Sequence, residues 1–68
     1  MKVNPEALKA IRLRTGETRT SLQNKSGVDR TVITRLETGE RRGTPAQLKA
    51  LAEALAVPIT AISIQEVA

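Results

Sequence analysis

Three residues, Gly27-Val28-Asp29, separate two segments that each carry helix signals at both ends, and no other feature restricts the chain as much. Upstream, Thr18 is an N-cap whose hydroxyl can accept a backbone N–H, and Gly27 is a terminator able to take the left-handed C′ conformation. Downstream, Asp29 is the next N-cap, and the segment from Arg30 to Thr38 runs into Gly39. A connection this short forces the two helices to cross sharply.

The flanking sequence extends the helical pattern. Asn4-Pro5-Glu6 opens a first helix, with Asn as N-cap, Pro at the first helical position and an acidic group in the first turn. Leu8 and Ile11 follow at i, i+3, and the pattern stops at Gly16. The second helix, through Ser26, has a weak apolar face anchored on Leu22. Thr44-Pro45 caps a fourth helix in which Leu48, Leu51, Ala52 and Leu55 recur at helical spacing. Pro58 ends that helix or opens a final turn. Beyond it the period is ambiguous, since Ile59 and Ile62 fit a short fifth helix while Ile62 and Ile64 alternate as in a strand; Val67 continues the apolar series. With no repeats or linkers, residues 1–68 read as one domain.

Composition removes most chemistry. The chain of 68 residues has no histidine, cysteine or aromatic side chain. Imidazole bases, thiolate nucleophiles and zinc sites of the usual kind are therefore absent, and no disulfide can staple the fold. We expect no catalytic residue, no metal, no cofactor and no small-molecule ligand. A core this small rarely supplies more than ~3–5 kcal/mol, so dimerisation would help. No apolar run approaches the ~18 residues of a membrane span and the start has no apolar leader segment, so a cytoplasmic protein is expected.

Eleven Lys+Arg face seven Asp+Glu, for a net charge of +4, and the excess lies in the first two thirds of the chain. Position sharpens its meaning. On a helical wheel Arg30, Thr31, Thr34, Arg35 and Thr38 share one side of the third helix, opposite Val32, Ile33 and Leu36. Arginine can bond guanine O6 and N7 bidentately, and threonine can bond any base or touch a thymine methyl. A solvated amphipathic helix would show the same division. Arg19 and Arg30, however, each stand at the first position of a helix, where the dipole disfavours cations by ~0.3–1 kcal/mol. An anion docked at those ends would reverse the sign, and backbone N–H groups there bind phosphate. Glu37 poses the mirror problem in the last turn of the third helix, and calls for a basic partner: Arg12, or failing that Arg14.

From Leu8 to Ile62 the chain resembles the Cro/repressor helix-turn-helix family of bacteriophage and bacterial regulators. The resemblance rests on Leu8, Ile11 and Arg12; on Leu22, Gly27-Val28, Ile33, Arg35-Leu36-Glu37 and Gly39; and on Leu48, Leu51-Ala52, Leu55 and Val57. It implies an all-α, compact five-helix domain of the lambda-repressor-like kind, with the helix-turn-helix unit at about 18–38 and the third helix in the major groove. Carried over by position, Arg30, Thr31, Thr34 and Arg35 contact bases, and Arg19, Thr38, Arg41 and Arg42 contact the DNA backbone. Arg12 and Glu37 match a structural ion pair of several members. Dimerisation falls to Pro58, Ile59, Ile62 and Ile64, which could instead close the core.

Five positions depart from the family pattern. Arg19 replaces a frequent glutamine that buttresses the recognition helix. Gln23 replaces a small alanine, so either the two helices sit further apart or Gln23 bends outward. Glu17 removes a hydrophobic staple. Ser26 replaces another alanine, and Val32 stands where a small polar residue is frequent, with partial burial expected. Leu13, alone on a polar stretch, could cover the tail. The resemblance implies a stand-alone Cro-like regulator that occupies a double-stranded DNA operator as a homodimer, with half-sites about one turn, ~34 Å, apart. The contrasting expectation is a protein-interaction module of the same fold, antitoxin-like or antirepressor-like.

Overall fold

Local capping sets four helices, and each begins where a side chain satisfies its leading backbone N–H groups. In the structure, a computed structural model that describes residues 1–65, these are α1 (Pro5–Arg14), α2 (Arg19–Ser26), α3 (Arg30–Thr38) and α4 (Pro45–Ala54). Asn4 Oδ1 accepts the Ala7 N–H at 3.2 Å. Thr18 and Ser21 exchange side-chain and backbone hydrogen bonds of 2.9 and 3.0 Å at the start of α2, and Thr44 and Gln47 do the same at α4. Such reciprocal capping satisfies two otherwise orphaned donors. Gly27 and Gly39 end α2 and α3 in the left-handed conformation.

The expected fifth helix is not formed. Ile59–Ala61 makes a single 3-10 turn, and Ser63–Ile64 then extends as strand β2 against strand β1 (Lys2–Val3) in an antiparallel pair, with Lys2 opposite Ile64 and Val3 opposite Ser63. Among the described residues the fold is therefore mostly helical, with four α-helices and a small two-stranded sheet. Pro58 fixes the chain direction at φ −67°, and the turn at 59–61 carries Ile62 into the core. The Asn4 N–H then donates to Ile62 O at 2.8 Å, and the Val3 N–H to Arg42 O at 2.7 Å. An extended tail can satisfy this N-terminal backbone, and a continued helix could not. Both periodicities in the tail are thus real, for different residues; Val67 lies outside the described residues. No helix among the described residues is long and apolar enough to cross a membrane.

The core is aliphatic throughout. Leu8, Leu22, Ile33, Leu36, Leu48, Leu51 and Ile62 are fully buried, with Val3, Val28, Ala52 and Leu55 around them. Ile62, expected at a dimer surface, has no exposed area to offer a partner. Val32 is half-buried against this core. Gly43, at φ +81°, lets the loop after α3 pass close to the core: a Cβ there would lie 3.0 Å from Leu36 Cδ2 and 3.2 Å from Leu48 Cδ2.

One buried carboxylate ties three helices together. Glu37, on α3, accepts from Arg12 Nε on Oε2 at 2.6 Å and from Arg12 Nη2 on Oε1 at 3.1 Å. Arg19 donates to Oε1 from Nε at 3.2 Å and from Nη2 at 3.1 Å. Arg12 also donates from Nη1 to the Glu17 carbonyl at 3.0 Å. The side chains of Glu37 and Arg12 are 1% and 8% exposed, so this ion pair is desolvated on both sides.

Backbone strain yields two predictions and the buried pair a third. Ala56, just past α4, is the one non-glycine among the described residues at positive φ, +57°. Relieving it with Ala56→Gly should raise stability by about 0.5–1 kcal/mol, read as a higher urea midpoint at unchanged slope. Gly43→Ala adds a methyl group at a positive φ against two leucines and should lower stability by about 1–3 kcal/mol. Removing one member of the buried pair with Glu37→Ala strands the Arg12 charge and should cost about 3–5 kcal/mol, enough to unfold most of a chain this size. Replacing both, Arg12→Met with Glu37→Met, should return the midpoint to within about 1 kcal/mol of the parent or above it. A double variant no more stable than Glu37→Ala would show that the pair does more than neutralise itself.

Candidate nucleic-acid interface

The two faces of α3 are treated differently by the fold. Ile33 and Leu36 are fully buried, whereas Arg30, Thr31, Arg35 and Thr38 are exposed and Thr34 is half-buried. Thr34 Oγ1 donates to Arg30 O at 3.1 Å and Thr38 Oγ1 to Arg35 O at 3.2 Å. Those hydroxyls keep acceptor lone pairs and can swing outward to another acceptor. Arg35 lies 3.8 Å from Glu40, with both side chains about half exposed or more. A pair that open and that long holds the guanidinium loosely. The four residues expected to contact bases thus lie on one helix, with Arg30, Thr31 and Arg35 open to solvent.

The expected backbone-contacting residues lie at the margins of this face. Arg41 and Arg42 are exposed on the loop after α3, and the Arg42 carbonyl is tethered to β1. With Lys2, Gly39 and Ile64 they line a cavity of about 240 Å³ at the C-terminal end of α3. Arg19, whose guanidinium reaches Glu37 in the last turn of α3, lines a wider concavity of about 450 Å³ that also takes in Thr18, Thr20 and Arg30. Leu13 is 59% exposed and lines that same concavity.

The helix starts are satisfied from within, which changes the electrostatic reading. Arg19 does not depend on an outside anion to offset its position at the start of α2, because Glu37 supplies one. At the start of α3 the Thr31 N–H donates to Asp29 Oδ2 at 2.8 Å, and the Arg30 N–H donates to Gln23 Oε1 at 2.6 Å. These first two donors of α3 are therefore occupied.

The Gln23 amide reaches across the turn to the Arg30 N–H. Ser26 Oγ donates to Leu22 O at 2.7 Å and accepts the Val28 N–H at 3.1 Å, bracing the turn itself. Glu17 accepts from Ser21 Oγ and Lys25 Nζ, and so fastens the front of α2 by charge where a staple would use apolar contact. Lys25 first, and then Ser21, hold the Glu17 carboxyl below its ordinary pKa. Sequence reasoning missed the Gln23 contact and the Arg19–Glu37 contact. The i, i+4 spacing of Arg19 and Gln23, which puts both on one face of α2, was the signal available. Among the described residues no group of three or more acidic side chains could hold a metal ion.

Comparison with known proteins agrees with this geometry. The helix-turn-helix domain profile matches residues 6–62. Among solved structures, the restriction-modification controller protein C.AhdI from Aeromonas hydrophila superposes with a TM-score of 0.81 at 26% identity, over 84% of this chain and 86% of its own. The controller C.Esp1396I superposes with a TM-score of 0.74 at 35% identity, over 79% of this chain and 69% of its own. A point mutant of the same controller gives 0.76 at 34%, over 82% and 73%. No curated protein sequence matches the chain. A profile that covers most of the chain, together with a shared fold at this level of identity, places this protein in the helix-turn-helix domain family.

Proposed function

We propose that this chain is a sequence-specific double-stranded DNA-binding transcription regulator, a Cro-like repressor that occupies its operator as a homodimer with α3 in the major groove. The observation that carries the reading is the division of α3: one side locked into the core, the other presenting Arg30, Thr31, Thr34 and Arg35. A helix anchored this firmly can set side chains against base edges with little loss of conformational freedom on binding. Likeness to restriction-modification controllers supports regulation as the role. In this reading Arg19, Arg41, Arg42 and Thr38 meet phosphates flanking the bases, and the protein works in the cytoplasm of a bacterium or of a phage host.

The homodimer is proposed through the turn after α4 and the tail. Pro58 is exposed, Ile59 half-buried and Ile64 39% exposed, which leaves apolar area beside the buried Ile62. Two copies related by a two-fold axis would read an inverted repeat.

Selection from a random duplex library at near-physiological salt should enrich an inverted repeat. Enrichment of a lone half-site would retain DNA recognition and remove the dimer. Failure of the folded protein to enrich any sequence would remove the DNA reading in favour of a protein partner. On the selected operator, Arg30→Ala or Arg35→Ala should cost about 1–3 kcal/mol per protomer and relax preference at one base pair, if the residue bonds guanine bidentately. Equal weakening on every sequence would reassign that residue to phosphate. Counterion release counts cations only, so Arg19, Arg41 and Arg42 of both protomers should give log K against log salt a slope near about −5. A slope shallower than about −2 would dismiss this contact set.

A further inference from the structure

Arg19 and Gln23 stand one turn apart on the same row of α2, and both reach α3, at opposite ends of it. Arg19 grips Glu37 in the last turn of α3, while Gln23 Oε1 accepts the N–H of Arg30, the first residue of α3, at 2.6 Å. The two anchor points are separated by seven residues, about 10.5 Å along the helix axis. Between them Leu22, Ile33 and Leu36 pack without exposed area. Aliphatic packing resists separation of two helices and resists sliding or rolling much less, because dispersion contacts are non-directional. A hydrogen bond at each end is directional. Two fixed points determine a line.

We propose that Gln23 is a specificity-determining positioning residue: it holds the N-terminal half of α3 at a fixed pitch and roll against α2, and so sets which base edges Arg30 and Thr31 reach. The inference rests on the DNA-binding reading above. Gln23 itself touches no base; it acts through the Arg30 backbone. The side chain suits the task because a glutamine carbonyl spans the turn, which alanine could not do.

The two anchors divide the labour along α3. Loss of the Gln23 acceptor leaves the Glu37 end held by Arg12 and Arg19 and loosens only the Arg30 end. Arg35, two residues from Glu37, stays in place. The signature is therefore graded along the binding site, which distinguishes positioning from general stability.

Three variants of the full chain test this. Gln23→Ala removes the side chain, Gln23→Met keeps its length without the acceptor, and Gln23→Glu keeps an acceptor oxygen at the same reach. Without DNA, hydrogen exchange at the Arg30 amide should quicken by about fivefold in Gln23→Met, as for loss of one ordinary hydrogen bond, and stay near the parent rate in Gln23→Glu. On selected operators, Gln23→Ala and Gln23→Met should lose about fivefold or more discrimination at the base pairs read by Arg30 and Thr31, keep it at the pair read by Arg35, and keep the parent salt slope. Gln23→Glu should restore the pattern of preference, with uniformly weaker binding from the added negative charge. Unchanged Arg30 exchange in Gln23→Met would overturn the proposal. So would loss spread evenly over all base pairs, which would mean a uniform contact of Gln23 with the DNA backbone, or a shallower salt slope, which would mean that the cationic contacts and not the pitch of α3 had changed. If the parent protein selects no sequence, the DNA reading fails, and with it the specificity role; the exchange measurement then decides the contact alone.

Discussion

The carboxylate of Glu37 governs how this small fold is put together. It is 1% exposed, it stands in the last turn of α3 where the dipole opposes it, and α1 and α2 each bring a guanidinium to meet it. A buried charge without partners would cost far more than a chain of this size can supply. Arg12 satisfies it in a fork of two hydrogen bonds, the arrangement that suits a planar guanidinium and a carboxylate. Any shift of α3 against α1 breaks that fork. The pair therefore contributes little net stability over an apolar substitute and much more to register, because wrong packings of the same aliphatic side chains would leave a bare charge inside.

That role matters because the rest of the core is indifferent to register. Leucine, isoleucine, valine and alanine make up the whole of it. Without an aromatic ring of particular shape, several packings of α2 on α3 could bury similar area. Polar contacts select among them: Glu37 with Arg12 and Arg19, Gln23 with the Arg30 N–H, and Ser26 within the turn. The backbone adds its own constraint at Gly43, whose missing Cβ is the room that Leu36 and Leu48 occupy.

The parts of this fold that are local were legible in the sequence. Asn4, Thr18, Asp29 and Thr44 bond to N–H groups two or three residues away, so four helices could be placed from neighbours alone. Glu37 announced its need for a cation through the dipole, and its position at the edge of the apolar face pointed to α1. The tail was not legible, because Ser63–Ile64 becomes a strand only through pairing with Lys2–Val3 at the far end of the chain. Nor was the burial of Ile62, since the spacing of Ile59, Ile62 and Ile64 is the same whether the middle one faces a core or a partner. Arg19 and Gln23 were misread for a related reason. Each was judged against a helix dipole or a family pattern, while its partner lies across the turn on another helix.

The internal satisfaction of the α3 start also bears on how DNA affinity would be composed. A helix whose leading amides stay open can bind phosphate through fixed dipoles that need no ordering. Here Gln23 and Asp29 take the Arg30 and Thr31 amides, and Arg19 already serves Glu37 through two of its nitrogens. In the proposed complex the phosphate contacts then fall to the unshared edge of Arg19 and to the exposed side chains of Arg41 and Arg42. Long side chains lose rotamer entropy when they are fixed, and their gain comes from releasing counterions. Non-specific affinity built this way is modest and readily screened. Recognition in the proposed complex would then depend more on the base-edge contacts of α3, which are the contacts that the seat of α3 on Glu37 and Gln23 would serve.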